Sequence, residues 1–231
     1  MKAATPGPQG PTPPRPDPSA LRLLGRASSI NVRKVLWTCD ELGLAAQHEA
    51  WGEGALSLRS PEFLALNPGG LVPVLVHQGL VLRESNTICR YLAQAFGDGR
   101  LLPAAAADRA RVEQWMDWQA TELNNAWRYA FMALVRRSPA HQDATAVRHS
   151  LQQWHGQMAL LEAALAAGGP HVCGDAFTLA DVVLALSTQR WLKTPGADAG
   201  VERASLPAVS AWMDRLRTRP GFARHVDNGQ P

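Results

Sequence analysis

The stretch NPGGLVPVLVHQGLVLRESNTICRYL, residues 67–92, holds the densest run of structural signals in the chain. Asn67-Pro68-Gly69-Gly70 is a turn cluster that ends whatever precedes it. LVPVLV and LVL then read as two strands joined by a turn at Gln78-Gly79. Next, Ile88, Tyr91, Leu92, Ala95 and Phe96 recur at i, i+3, i+4, i+7 and i+8, the stripe of an amphipathic helix starting near Glu84. A β-β-α unit is predicted.

Two positions in that unit do more than build it. Proline cannot donate in a ladder, so Pro73 belongs at an edge, a strand start or a bulge. A cis Val72-Pro73 bond is the other solution, since isomerising X–Pro costs only ~0.5–1 kcal/mol. Either way the neighbouring backbone faces outward with unpaired groups, able to take a peptide-like ligand as an added strand. Glu84-Ser85-Asn86 opens the helix. These residues can serve as a cap, with an acid favourably near the positive helix end. They can equally clamp a molecule carrying both charges, Ser85 taking a carboxylate and Glu84 an ammonium.

Working upstream, LRLL (21–24) is a buried-strand candidate. Val32, Val35, Leu36, Cys39 and Leu42 recur at helical spacing, and Gly43 supplies the stop. QHEAW (47–51) reads as a second strand and PEFLAL as a short helix, giving the order β-α-β-α-β-β-α. Ser28, Ser29 and Asn31 sit at the mouth of the first helix. They either cap it or, because a helix N-terminus stabilises anions, receive something negative. Arg33 and Lys34 are expected to face solvent.

Downstream of Gly97 the strands stop. Val112, Trp115, Met116, Leu123, Trp127, Phe131 and Leu134 mark one long helix, and Val147, Leu151, Trp154, Met158, Leu161 and Leu165 another. Shorter helices hold Leu179, Val182, Val183 and Leu186, then Val209, Trp212, Met213 and Leu216. Strands first and helices afterwards predict an α+β fold, a mixed domain (20–97), a linker (98–105) and an all-α domain (106–231). Residues 1–19 hold seven of the 17 prolines. Such a segment cannot repay the entropy of ordering and is expected to be a disordered tail.

Composition excludes several classes. At 231 residues and 46% hydrophobic content the chain can bury a substantial core. A formal charge of +3 without a basic stripe gives no nucleic-acid signal. The mildly basic Arg215, Arg217, Arg219 and Arg224 read as a solvated helix face. No run approaches the ~18 apolar residues of a membrane span, and no signal peptide is visible, so a cytoplasmic protein is expected. Three cysteines, Cys39, Cys89 and Cys173, never in a CxxC, favour a reducing compartment, with Cys39 and Cys89 as inert buried thiols. The seven histidines form no zinc spacing, and no metal is expected.

Together, SSINVRKV (28–35), NPGGLVPVL, LxESNTICRYL and GDAFTLADVVLA (174–185) resemble the glutathione transferase superfamily in order and spacing. The resemblance covers about residues 20–220. It implies a thioredoxin-like N-terminal domain that binds glutathione and a helical domain supplying most of the second-substrate pocket. It also implies main-chain bonds from Val72, beside a cis Pro73, to the glutathione cysteinyl unit, with Glu84 and Ser85 on the γ-glutamyl group. Ser29 falls where serine-type classes keep the thiol-activating hydroxyl, and Asn31 where a bacterial class keeps a catalytic asparagine; Ser28 is a third claimant. Thr178 and Asp181 match the family's buried capping box, a structural role. Core packing is expected for Trp115, Trp127 and Phe131, with Trp118 or Arg128 lining the electrophile pocket.

Leu71 departs from the polar residue often found there, and neither Trp51 nor Arg59 is a firm match for a glycyl-carboxylate ligand. The activity implied is conjugation of glutathione, as co-substrate, to small hydrophobic electrophiles by a homodimer. Reduction of disulfides or peroxides, and a non-catalytic binding protein, are the alternatives.

Overall fold

The computed structural model describes residues 17–196 and 200–229. The proline-rich segment expected at the N-terminus lies, up to residue 16, outside the described residues. Four short strands, β1 (Arg22–Leu24), β2 (Gln47–Glu49), β3 (Val74–His77) and β4 (Leu80–Leu82), form one sheet in the order β2-β1-β3-β4. β1 runs parallel to β2 and antiparallel to β3, with Leu23 opposite both His48 and Leu75. A parallel pair needs a crossover, and α1 (Ile30–Leu42) provides it. α2 (Pro61–Leu66) leads into β3, and α3 (Ser85–Phe96) follows β4.

Local chemistry explains the boundaries. Gln78 (φ 49°) and Gly79 (φ 84°) both take positive φ, the two-residue hairpin turn that matches strand twist. Gly43 closes α1 in the left-handed conformation (φ 66°), its N–H returning to the helix's last carbonyls. The Val72-Pro73 bond is cis, and Pro73 stands just before β3 where no ladder donor is needed.

The second half is helical: α4 (Ala106–Trp118), α5 (Asn124–Leu134), α6 (Ala144–Gly168), α7 (Leu179–Lys193), α8 (Pro207–Leu216) and α9 (Phe222–His225). The single long helix expected over Val112–Leu134 is instead two α-helices joined by a π-helical segment, Gln119–Leu123. A π turn widens the helix without ending it, and Gln119 and Leu123 carry the buried face through the segment. At the start of α7 the capping box is present: Thr178 Oγ1 accepts from the Ala180 N–H (3.3 Å) and Asp181 Oδ2 from the Thr178 N–H (2.9 Å). Asp181 is fully buried, and its Oδ1 also accepts from the Val172 N–H (3.0 Å) and the Trp212 indole (2.9 Å).

α1 lies between the two halves, with α3 on one side and α7 and α9 on the other. Trp37 fills that seam, its ring 5.7 Å from Phe177 and 6.0 Å from Phe222. Arg33 and Lys34 were expected in solvent; both are buried, because α1 keeps no free face there once the helical half docks. The basic C-terminal residues are likewise not a plain solvated face. Arg219 pairs with Glu41 (2.6 Å) over the Phe177 ring, Arg224 pairs with Asp40 (2.8 Å), and Arg217 with Asp227 (2.6 Å).

Candidate functional site

Five of the six candidate residues, Asn31, Val72, Pro73, Glu84 and Ser85, line one cavity of about 600 Å³. Its geometry follows from three local features. First, β3 begins at Val74, and the Val72 N–H and C=O have no partner among the described residues, so they are available to a peptide-like group. Second, Glu84 sits at φ 66°, ψ 111°, a conformation that costs a non-glycine residue ~1–3 kcal/mol. That strain sets the start of α3: Ile88 is the first amide to bond backward, to Glu84 C=O at 2.9 Å. The amides of Ser85, Asn86 and Thr87 are thereby left open at the positive helix end. Third, Gly25 has no room for a side chain, since a Cβ would lie 2.5 Å from Val32 and 3.0 Å from Val72. Glycine there lets the first turn of α1 approach the Val72-Pro73 loop.

Ser85 donates from Oγ to Asn31 Oδ1 at 3.3 Å, so α1 and α3 meet across the cavity. Asn67, missed by sequence reasoning, is buried on the same wall; its Nδ2 donates to Leu71 C=O (2.7 Å) and its Oδ1 accepts from the Gly69 N–H (3.1 Å). Its only sequence signal was the turn cluster it opens. Leu71 is 68% exposed at the cavity edge. Trp51 is turned to Glu49, which accepts from its indole at 3.2 Å.

Ser29 lies elsewhere. It lines a second cavity of about 460 Å³, walled by Trp127, Phe131, Met132 and Ile30 and ringed by arginines. The two cavities flank the N-terminus of α1, with Asn31 on one side and Ser29 on the other. Ser29 occupies the N-cap position, yet its hydroxyl makes no capping bond. Of the two readings of Ser29, the capping bond is not made, and its hydroxyl has no hydrogen-bond partner among the described residues. Arg128 lines this cavity, whereas Trp118 packs edge-on against Trp115 at 5.1 Å. Trp127 and Phe131, expected to be core, wall the cavity as well as packing on each other at 5.3 Å.

A buried polar network runs beneath both cavities. Lys34 Nζ donates to Gln119 Oε1 (2.7 Å) and Asn86 Oδ1 (3.3 Å). Gln119, in the π segment, donates to Asn124 Oδ1 (3.0 Å), which also accepts from the Trp127 indole (3.0 Å). Burial pushes the Lys34 pKa down to about 7 and that of Arg33 to about 10. Burial likewise raises the thiols of Cys39 to about 12, Cys89 to about 11 and Cys173 to about 11. All three are neutral thiols near pH 7 and offer no protein thiolate.

Residues 23–100 match the family described as "Glutathione S-transferase, N-terminal domain" and residues 123–220 "Glutathione S-transferase, C-terminal domain". The chain is 36% identical over 208 residues to glutathione S-transferase GstB of Escherichia coli strain K12, covering 89% of this chain and 97% of that protein. It is 34% identical to glutathione S-transferase 3 of Zea mays, covering 89% and 93%. Among solved structures, it resembles the theta class glutathione S-transferase of Xanthomonas axonopodis pv. citri with glutathione bound, with a TM-score of 0.81, 37% identity and coverage of 90% and 97%. Motif order, the paired cavities and these similarities converge: the chain belongs to the glutathione S-transferase family.

Proposed function

We propose that this protein binds glutathione in the larger cavity and conjugates its thiolate to a small hydrophobic electrophile in the smaller one. The convergence of Asn31, Val72, Glu84 and Ser85 on one cavity, beside an apolar cavity holding Ser29, carries this reading. Val72 bonds main chain to main chain with the cysteinyl unit. The open amides of α3 and the Ser85 hydroxyl take the γ-glutamyl carboxylate, and Glu84 takes its ammonium.

The chemistry needs the anion. A free thiol of pKa ~8.5 is only a few per cent ionised at neutral pH, and the thiolate is the nucleophile. Lowering that pKa by about two units requires ~2.7 kcal/mol of preferential stabilisation. The α1 dipole supplies ~0.3–1 kcal/mol and one charge-assisted hydrogen bond ~1.5–3 kcal/mol, so a single donor suffices. With an aryl chloride, the sulfur attacks the ring carbon and forms the C–S bond; the C–Cl bond breaks and chloride leaves with the electron pair. The thiol proton has already gone to solvent when glutathione binds.

Asn31 favours a second reading, glutathione-dependent reduction of disulfides, because its side chain and not that of Ser29 lines the larger cavity. That route needs no protein thiolate.

Calorimetry of glutathione binding in two buffers of different ionisation enthalpy, with Ser29→Ala and Asn31→Ala beside the wild type, tests the assignment. Loss of the activating donor raises the bound thiol pKa by ~1–2 units, leaving roughly a quarter or less ionised at pH 7. Proton release therefore collapses in one variant and persists in the other. If neither variant changed proton release and turnover, both assignments would fail. Turnover of an aryl chloride against that of a small disulfide separates conjugation from reduction.

A further inference from the structure

The smaller cavity carries more positive charge than an apolar substrate requires. Arg190, on α7, is 4% exposed and lines it. Its guanidinium stacks on the Phe131 ring at 4.1 Å and on the Trp127 ring at 4.6 Å. Neither contact gives its N–H groups an acceptor. Among the described residues it has no hydrogen-bond or ion-pair partner, and its Nε is a buried donor left unsatisfied. A buried guanidinium without an anion is costly, so this one is aimed at something absent from the chain. Burial lowers its pKa to about 9, and it remains a cation at neutral pH.

The surroundings point the same way. Arg26, Arg128 and Arg136 line the same cavity, and no Asp or Glu does. Glu53 reaches Arg26 at 3.3 Å and Arg136 at 3.8 Å from an exposed position, but it does not reach Arg190 or Arg128. Guanidinium forks match carboxylates in bidentate geometry, and the Trp127 and Phe131 rings suit a flat apolar body.

We propose that the electrophile taken by this cavity is itself an anion, an aromatic body bearing a carboxylate that pairs with Arg190. This rests on the transferase reading and names the substrate class of its second site. The arginines would also offset repulsion between the incoming anion and the glutathione thiolate.

The test separates the two ideas. With S-methylglutathione at saturation, so that glutathione's own carboxylates are already seated, binding of 3,5-dinitrobenzoate and of its methyl ester is followed by tryptophan quenching. S-Methylglutathione has no free thiol to ionise, so the result does not depend on turnover. The carboxylate is expected to bind about tenfold tighter, equivalent to ~1.4 kcal/mol. Arg190→Met reduces the carboxylate-to-ester ratio about tenfold, and raising the salt from roughly 0.05 to roughly 0.5 M also shrinks it. Equal binding of the two probes by the wild type, or an unchanged ratio in a folded Arg190→Met, overturns the proposal. Should that variant fail to fold, Arg128→Gln at an exposed position takes its place, with a severalfold loss of ratio expected and no loss counting against the idea. Turnover of 1-chloro-2,4-dinitrobenzene, measured separately, reports on the transferase reading alone.

Discussion

Replacing Lys34 by methionine should change how stability depends on pH, and by a predictable amount. The ammonium is 1% exposed and has two amide oxygens, Gln119 Oε1 at 2.7 Å and Asn86 Oδ1 at 3.3 Å, to replace its water. Among the described residues no carboxylate hydrogen-bonds to it, and burial lowers its pKa from 10.5 to about 7. A shift of that size corresponds to a penalty of roughly 5 kcal/mol for holding the charge inside. The sign follows from proton counting. Between about pH 7 and pH 10.5 the unfolded chain binds a proton here that the folded chain does not, so stability rises with pH across that window. From pH 7 to pH 9 the gain is roughly 2 kcal/mol. Lys34→Met lacks this term, although it leaves two buried acceptors short of a donor at ~1–3 kcal/mol each. Urea unfolding of both proteins at pH 7, 8 and 9 reads the difference. The wild type should gain on the variant by roughly 1 kcal/mol per pH unit. A gap that stays constant over that range would refute the reasoning and show that the amide cage solvates the ammonium as well as water does.

Two further outcomes follow from buried geometry. Asp181→Ala strips partners from the Val172 and Thr178 amides and the Trp212 indole. At ~1–3 kcal/mol per orphaned donor, and ~2–4 °C per kcal/mol at this chain length, Tm should fall by about 10 °C; a thermal melt unchanged within ~2 °C would count against the capping box as a main support. Gly221→Ala places a Cβ 2.3 Å from Trp37 Cδ1 in the seam between the halves. Overpacking of this kind costs ~1–3 kcal/mol, so Tm should drop by several degrees, and an unshifted melt would mean that α9 is free to move.

Much of this molecule is written in short-range signals. Hairpin turn, helix stop, capping box and apolar stripe each depend on residues within about ten positions, where propensity and capping chemistry act directly. That is why Gln78-Gly79, Gly43, Thr178 with Asp181, and the β-α-β-α-β-β-α order were legible, and why Val72-Pro73 and Glu84-Ser85 stood out. The Pro73 signal is a backbone peculiarity and survives without knowledge of packing, whereas the positive φ of Glu84 appears only in the structure.

What the sequence could not yield is which polar side chains end up inside. Arg33 and Lys34 sit on a helix whose second face is free until α7 and α9, more than 140 residues later, close over it. Arg190 lies in a helix buried along most of its length, but neither its burial nor the cavity it borders is legible from the residues around it. Ser29 and Asn31 are two residues apart and looked like rivals for one position, yet they line different cavities. The sequence by itself determined the strand and helix order of the first half, the helical character of the second and the glutathione-type motifs. Only the tertiary structure decided where charge is buried and how the site divides, because burial is a property of two surfaces that meet and either chain segment alone specifies just one of them.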